Sequence, residues 1–156
     1  MSNVDTAKIF FGIVLDKLQV AFPAAYHVVT DDLWPDFERL AMEGQISIKD
    51  GKRRFRHVAI ADASQNEAIK SQYVRLMLHW MATEGYIHPD PASNFKFDYV
   101  LSGKALAVLG LSLEADDETL GSRLRFAIGT IGEQTSGELV SQIISRGLEV
   151  MQGIQT

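Results

Sequence analysis

Five of the chain's fifteen Lys and Arg residues fall between positions 49 and 56, within the stretch SIKDGKRRFRH (residues 47–57). Lys49, Lys52, Arg53, Arg54 and Arg56 are the residue types that neutralise phosphate oxygens. Release of the counterions condensed on a nucleic acid supplies most non-specific affinity for it. Residues 46–57 carry five basic and one acidic side chain (+4), against −4 for residues 1–45, −2 for 58–115 and −3 for 116–156. The cluster thus stands alone in a protein of net charge −5. Two uses fit it: contact with phosphates, or a solvated turn whose charges keep an exposed strand edge from pairing with another chain.

Other residue types with chemical potential are less well placed. His57, His79 and His88, with Asp62 or Asp90, are metal-ligand types, but no H-x-x-x-H or H-E-x-x-H spacing sets two of them on one helical face. No metal is expected. HPDP at 88–91 reads as a rigid loop, because each proline fixes its own φ and restricts the residue before it. The acid pairs Asp31/Asp32 and Asp116/Asp117 precede predicted helices, where they face the positive end of the dipole. No nucleophile elbow, phosphate-cradling glycine loop or dinucleotide fingerprint occurs, and zero cysteines remove thiol chemistry and disulfides. The expectation is a protein that is not an enzyme and holds no cofactor.

The elements that must position the basic cluster belong to a chain of 156 residues, 46% hydrophobic and 22% charged, which suits one globular domain. The N-terminal segment has no basic residue in its first seven positions, and Asp16 and Lys17 break its apolar run. It reads as neither signal peptide nor membrane span, and a soluble cytoplasmic protein is expected.

Ile9, Phe10, Ile13, Val14, Leu18 and Phe22 recur at helical spacing after a cap at Asp5 or Thr6, and Pro23 ends that helix. A second helix follows Thr30, Asp31 and Asp32, with Leu33, Phe37, Leu40 and Ala41 as its stripe and Gly44 past its end. Trp34, beside Pro35 at that helix start, is expected to be partly exposed and could anchor an interface. Ile46 and Ile48 then alternate with polar residues, and Asp50-Gly51 favours a hairpin turn. Arg54 and Arg56 would face opposite to Phe55 and His57 on the returning strand. A helix over 53–61 is the competing reading.

Ser64 and Glu67 suggest a capping box for a long helix, with Ile69, Tyr73, Leu76, Met77, Trp80 and Met81 as its stripe and Gly85 at its end. Tyr73 and Trp80 are read as core. YIHPDPASNFKFDYVL follows as strand, loop and strand, with Phe95, Phe97, Tyr99 and Leu101 on one face. Ser102 starts a further helix closed by Gly110. Two more apolar stripes, Leu120 to Ile131 and Leu139 to Met151, are separated by a break at Gly129, Gly132 and Gly137. Leu139, Ile143, Ile144, Leu148 and Met151, with small residues nearby, suit close helix packing on this chain or across a two-fold axis, and a homodimer is expected.

The order helix, MATEGYI, loop, FDYVLSGKALAVL resembles the second half of a winged helix-turn-helix domain, over about residues 64–110. The matching residues are Glu84, Gly85, Tyr86 and Ile87, then Val100, Leu101, Ser102, Lys104 and Ala105. The whole chain also looks like members of a group of small bacterial proteins. The resemblance implies an α+β, mostly helical fold: a winged-helix core with a β-hairpin wing and added N- and C-terminal helices. Residues 1–110 would form the winged-helix-like domain, its small third strand supplied from residues 30–50. Residues 111–156 would form a helical segment packed on that domain or on a dimer partner.

In DNA-binding members the helix before the wing enters the major groove. Carried onto this sequence, Lys70, Gln72, Arg75 and His79 become candidate contacts. The wing loop HPDPASN carries Asp90 and no Lys or Arg, so phosphate contact falls to the basic segment. The implied function is a regulatory nucleic-acid-binding module. The rival is a protein-interaction adaptor that binds no nucleic acid.

Overall fold

The computed structural model describes residues 1–51, 54–110, 118–129 and 136–154. Among these the chain is α+β and mostly helical, with seven helices and five short strands. Helix α1 (Asn3–Ala21) is its axis. Every residue from Ile9 to Asp16 is buried, because α2, α4, α6 and α7 close around it. A helix that is apolar on nearly all sides belongs in a core rather than on a surface. Its cap is Ser2, one turn earlier than the sequence suggests: the Ser2 hydroxyl oxygen accepts from the Asp5 amide and donates to the Asp5 carboxylate. Buried Asp16 is satisfied by the Gln19 side-chain amide, which also donates to the Gly121 carbonyl, and by Arg125 at 3.4 Å.

Helix α2 (Thr30–Leu40) follows the two-residue strand β1 (Tyr26–His27) and has no side-chain cap, so Thr30, Asp31 and Asp32 lie in its first turn instead. Strands β2 (Gln45–Lys49) and β3 (Phe55–Ala59) then form an antiparallel hairpin, which decides between strand and helix for residues 55–59. Gly51 adopts the positive φ of 88° that its place in the turn demands. A single turn, α3 (Ile60–Ala63), leads to α4 (Glu67–Thr83). The α4 cap is Asn66, whose side-chain oxygen accepts from the amides of Ala68 and Ile69. The Ser64 hydroxyl instead donates to the Ile60 carbonyl, so the expected Ser64–Glu67 capping box does not form.

The end of α4 follows the glycine rule closely. Gly85 has φ 82°, its amide donates to Ala82 and the Tyr86 amide donates to Met81, satisfying the last carbonyls of the helix. The chain is thereby turned into β4 (Ile87–Pro89), which pairs antiparallel with β5 (Asp98–Leu101). β5 pairs on its other edge with β1, giving the order β1-β5-β4. The third strand therefore comes from residues 26–27, not from 30–50, because 45–49 is taken up by its own hairpin partner. Phe95 precedes β5 rather than belonging to it and is exposed, a correction to the predicted apolar face; only Tyr99 and Leu101 of that set are buried.

Helix α5 (Gly103–Leu109) is capped by Ser102 and held at its start by Lys104, which donates to the Glu84 carbonyl and lies 4.3 Å over the Tyr86 ring. Helices α6 (Leu120–Gly129) and α7 (Ser136–Ile154) complete the chain, and α7 packs along α1. α6 ends at Gly129 and α7 has Gly137 in its first turn; residues 130–135, with Ile131 and Gly132 of the predicted stripe and break, lie outside the described residues. Gly137 lets the start of α7 lie against the end of α2, since a β-carbon there would collide with the Leu40 carbonyl. Among the described residues no helix is long and apolar enough to cross a membrane.

Candidate nucleic-acid interface

The β2–β3 register sorts the basic segment into faces. Residues directly opposite each other on an antiparallel pair share a face. Ile46 opposite Val58 and Ile48 opposite Arg56 form the inner face, and its three apolar members are buried. Ser47 opposite His57 and Lys49 opposite Phe55 form the outer face. Arg54, Arg56, Lys49, His57 and Phe55 are all exposed. Lys52 and Arg53 lie outside the described residues.

Two hydrogen bonds tie this hairpin to the helices. The Gln72 side-chain amide on α4 donates to the Lys49 carbonyl at 3.2 Å. The Asn3 amide on α1 donates to Ser47 Oγ, which itself lies 3.0 Å from His57 Nδ1. Gln72 is thus a tie between helix and hairpin, where the resemblance implies a base contact. Arg75 and His79 lie on the same solvent side of α4 at steps of three and four residues from Gln72, and both are exposed. This hydrogen bond sets the end of β2 against α4 at Gln72, one turn before Arg75.

Lys70 is a correction. Steps of four, three and four residues place it in phase with Val74, Met77 and Met81, on the buried side of α4, where it is 8% exposed. Its ammonium pairs with Glu67 at 2.8 Å, and that hydrogen bond holds its pKa above the usual lysine value. A cation so engaged is not offered to a phosphate.

The candidate interface residues divide in the same way. Trp34 is 3% exposed, against the expectation of partial exposure: its indole N–H donates to Ser64 Oγ and its ring meets Phe37 edge to face. It joins a core cluster with Phe10, Phe37 and Tyr73. The Tyr73 hydroxyl is buried with no hydrogen-bond partner in the structure, and burial drives its pKa far above the ordinary tyrosine value. Ile143 and Ile144 are buried within the chain; Leu139, Leu148 and Met151 are half-buried against its core.

Trp80, expected in the core, is 42% exposed. It borders a groove of about 350 Å³ between α1, α4 and α7, lined by Val4, Ala7, Phe11, Met77 and Leu148 among others. Sequence periodicity did not reveal this groove, because it depends on how three distant helices meet. Among the described residues no group of three or more His, Asp or Glu side chains is placed to hold a metal ion.

The β4–β5 hairpin offers little to an anion. The Asp98 carboxylate accepts from Ser93 Oγ and pairs with His27, and these partners, the Ser93 hydrogen bond first, lower its pKa. No protein-family model, curated protein or solved structure matches this chain.

Proposed function

We propose that the chain is a non-enzymatic regulatory module of winged-helix type that binds nucleic acid through the β2–β3 hairpin and the solvent face of α4. Support for the fold part comes from topology. A long helix turned by Gly85 into an antiparallel hairpin, a third strand completing the order β1-β5-β4, and the helices α1 and α2 ahead of it support this reading, in which β2–β3 would be an insertion. The observation that carries the functional part is the hydrogen bond from Gln72 to the Lys49 carbonyl. It joins Lys49, Arg54 and Arg56 to the α4 face that bears Arg75 and His79. Counterion release by clustered cations of this kind gives affinity that falls steeply with salt.

The test is a binding titration of labelled duplex and single-stranded oligonucleotides across salt concentrations. The proposal expects log affinity to fall linearly with log salt, with a slope of magnitude roughly two to four for three to five phosphates neutralised. No binding of either form at micromolar protein and low salt overturns it.

The apolar groove beside Trp80 favours a second reading, a protein-interaction adaptor. Affinity purification with and without nuclease separates the two. A partner retained after nuclease treatment and lost on Trp80→Ala supports the adaptor.

A further inference from the structure

The basic hairpin holds a side chain that phosphate binding does not require. Phe55 is 70% exposed, on a two-stranded sheet whose other large apolar residues all point inward. Among the described residues its ring meets the His57 ring, edge to face at 5.8 Å, and most of its surface stays in water. Nothing in the packing of the fold needs a phenyl group there; Ile46, Ile48 and Val58 already cover the inner face. The outer-face neighbour across the register is Lys49, and Arg54 and Arg56 flank Phe55 in sequence. His57 in turn is braced through Ser47 to Asn3.

An aromatic face bordered by cations recognises a particular state of nucleic acid. In a duplex the base faces are stacked on one another, and only base edges and phosphates are presented. An unpaired base offers its whole π-face, and stacking it on an aromatic side chain is tolerant of sequence. Resting on the nucleic-acid reading above, we propose that the outer face of the β2–β3 hairpin binds single-stranded nucleic acid, with Phe55 as the stacking platform and Lys49 of the same face on the adjoining phosphate. Arg54 and Arg56, which alternate to the other face of β3, reach further phosphates along its exposed edge. Phe55 and the cations then make separable contributions. The ring supplies a contact insensitive to salt, whereas each cation adds to the salt slope.

The experiment is fluorescence anisotropy of the full chain with a labelled mixed-sequence oligonucleotide of about 15 nucleotides, single-stranded and as a duplex, a length within the usual single-strand site sizes. Wild type, Phe55→Ala, Phe55→Trp and Arg54→Ala/Arg56→Ala are compared, with a thermal melt to establish that each is folded. The expected result is tighter single-strand than duplex binding at equal salt. Phe55→Ala weakens the single strand about tenfold with the salt slope unchanged, Phe55→Trp restores it, and the arginine pair lowers the slope by roughly 1.4. If the single strand binds but Phe55→Ala leaves its affinity unchanged, or weakens duplex and single strand equally, this inference falls while the nucleic-acid reading stands. If the wild type binds neither form, both fall.

Discussion

The two hairpins of this protein share a shape and differ in almost everything that a ligand would sense. Each is a short antiparallel pair exposing one phenylalanine at 70%, Phe55 in β2–β3 and Phe95 just before β5, and a histidine ring lies beside each phenylalanine, His57 of the same hairpin and His27 of β1. Residues 45–59 nevertheless carry five basic and one acidic side chain (+4), whereas residues 87–101 carry one and two (−1). Their attachments differ as well. β4–β5 is held through a third strand and the Asp98 carboxylate, and β2–β3 by the Gln72 amide on α4. In the winged-helix pattern the wing touches phosphates. On the reading proposed above β4–β5 would be that wing, but the positive charge lies on β2–β3, which is tied to the same helix α4.

The largest expected effect that sharpens this contrast is loss of binding. Lys49→Ala/Arg54→Ala/Arg56→Ala is expected to reduce nucleic-acid affinity at low salt by about a hundredfold or more and to lower the salt slope by roughly two to three. Lys96→Ala in the wing loop should change affinity less than about threefold, on the view that one exposed cation beside acids adds little. Comparable losses from both substitutions would erase the distinction between the hairpins.

Next in size is Gln72→Ala. Removing the tie leaves the Lys49 carbonyl without its side-chain donor and should cost about 1 kcal/mol of stability. Hydrogen exchange should rise across residues 45–59 and stay unchanged across 87–101. Equal loosening of both hairpins would show that Gln72 does not hold β2–β3 specifically.

Tyr73 sits in α4, from which both hairpins are positioned, so it provides a shared reference. Its buried hydroxyl lacks a partner, and Tyr73→Phe is expected to leave stability unchanged or raise it by up to about 1 kcal/mol in a thermal or denaturant melt, without altering the relative protection of the hairpins. A clear loss of stability would mean that the hydroxyl is satisfied in solution.

The smallest effect concerns pH. Asp98 has its pKa lowered in the folded protein, so the stability it contributes is present above the unfolded carboxylate range near about 4 and is lost as pH falls through its folded value. The wing should therefore loosen in acid before β2–β3, which has no carboxylate of this kind in its register. Asp98→Asn should remove that acid-dependent step, observable as wing-specific amide exchange. Identical acid profiles for wild type and Asp98→Asn would count against it.

Much of this arrangement was legible in the residues. Alternation of Ile46 and Ile48, together with Asp50-Gly51, marks the hairpin; Glu84-Gly85 marks the end of α4; Ser102 and Gly110 bracket α5. The phase of Lys70 with Val74, Met77 and Met81 is equally readable and places it on the buried side, whereas its charge alone argues for the exposed one. The two tryptophans could not be sorted in this way. Trp34 is covered by the turn at Ser64, and Trp80 is left open where α1, α4 and α7 fail to close. Periodicity identifies which face of a helix is apolar, not what arrives to cover it. The same limit concealed α1's central position: a single stripe predicts one partner, whereas four helices surround it.

The central claim is that β2–β3 and the solvent face of α4 form one surface for nucleic acid while the wing does not. Amide chemical-shift mapping during titration with a single-stranded oligonucleotide tests it most directly. The expected result is saturable shifts confined to residues 47–57 and the Gln72, Arg75 and His79 face, with residues 88–97 silent. Shifts centred on 88–97, or no saturable shifts at all, would contradict it.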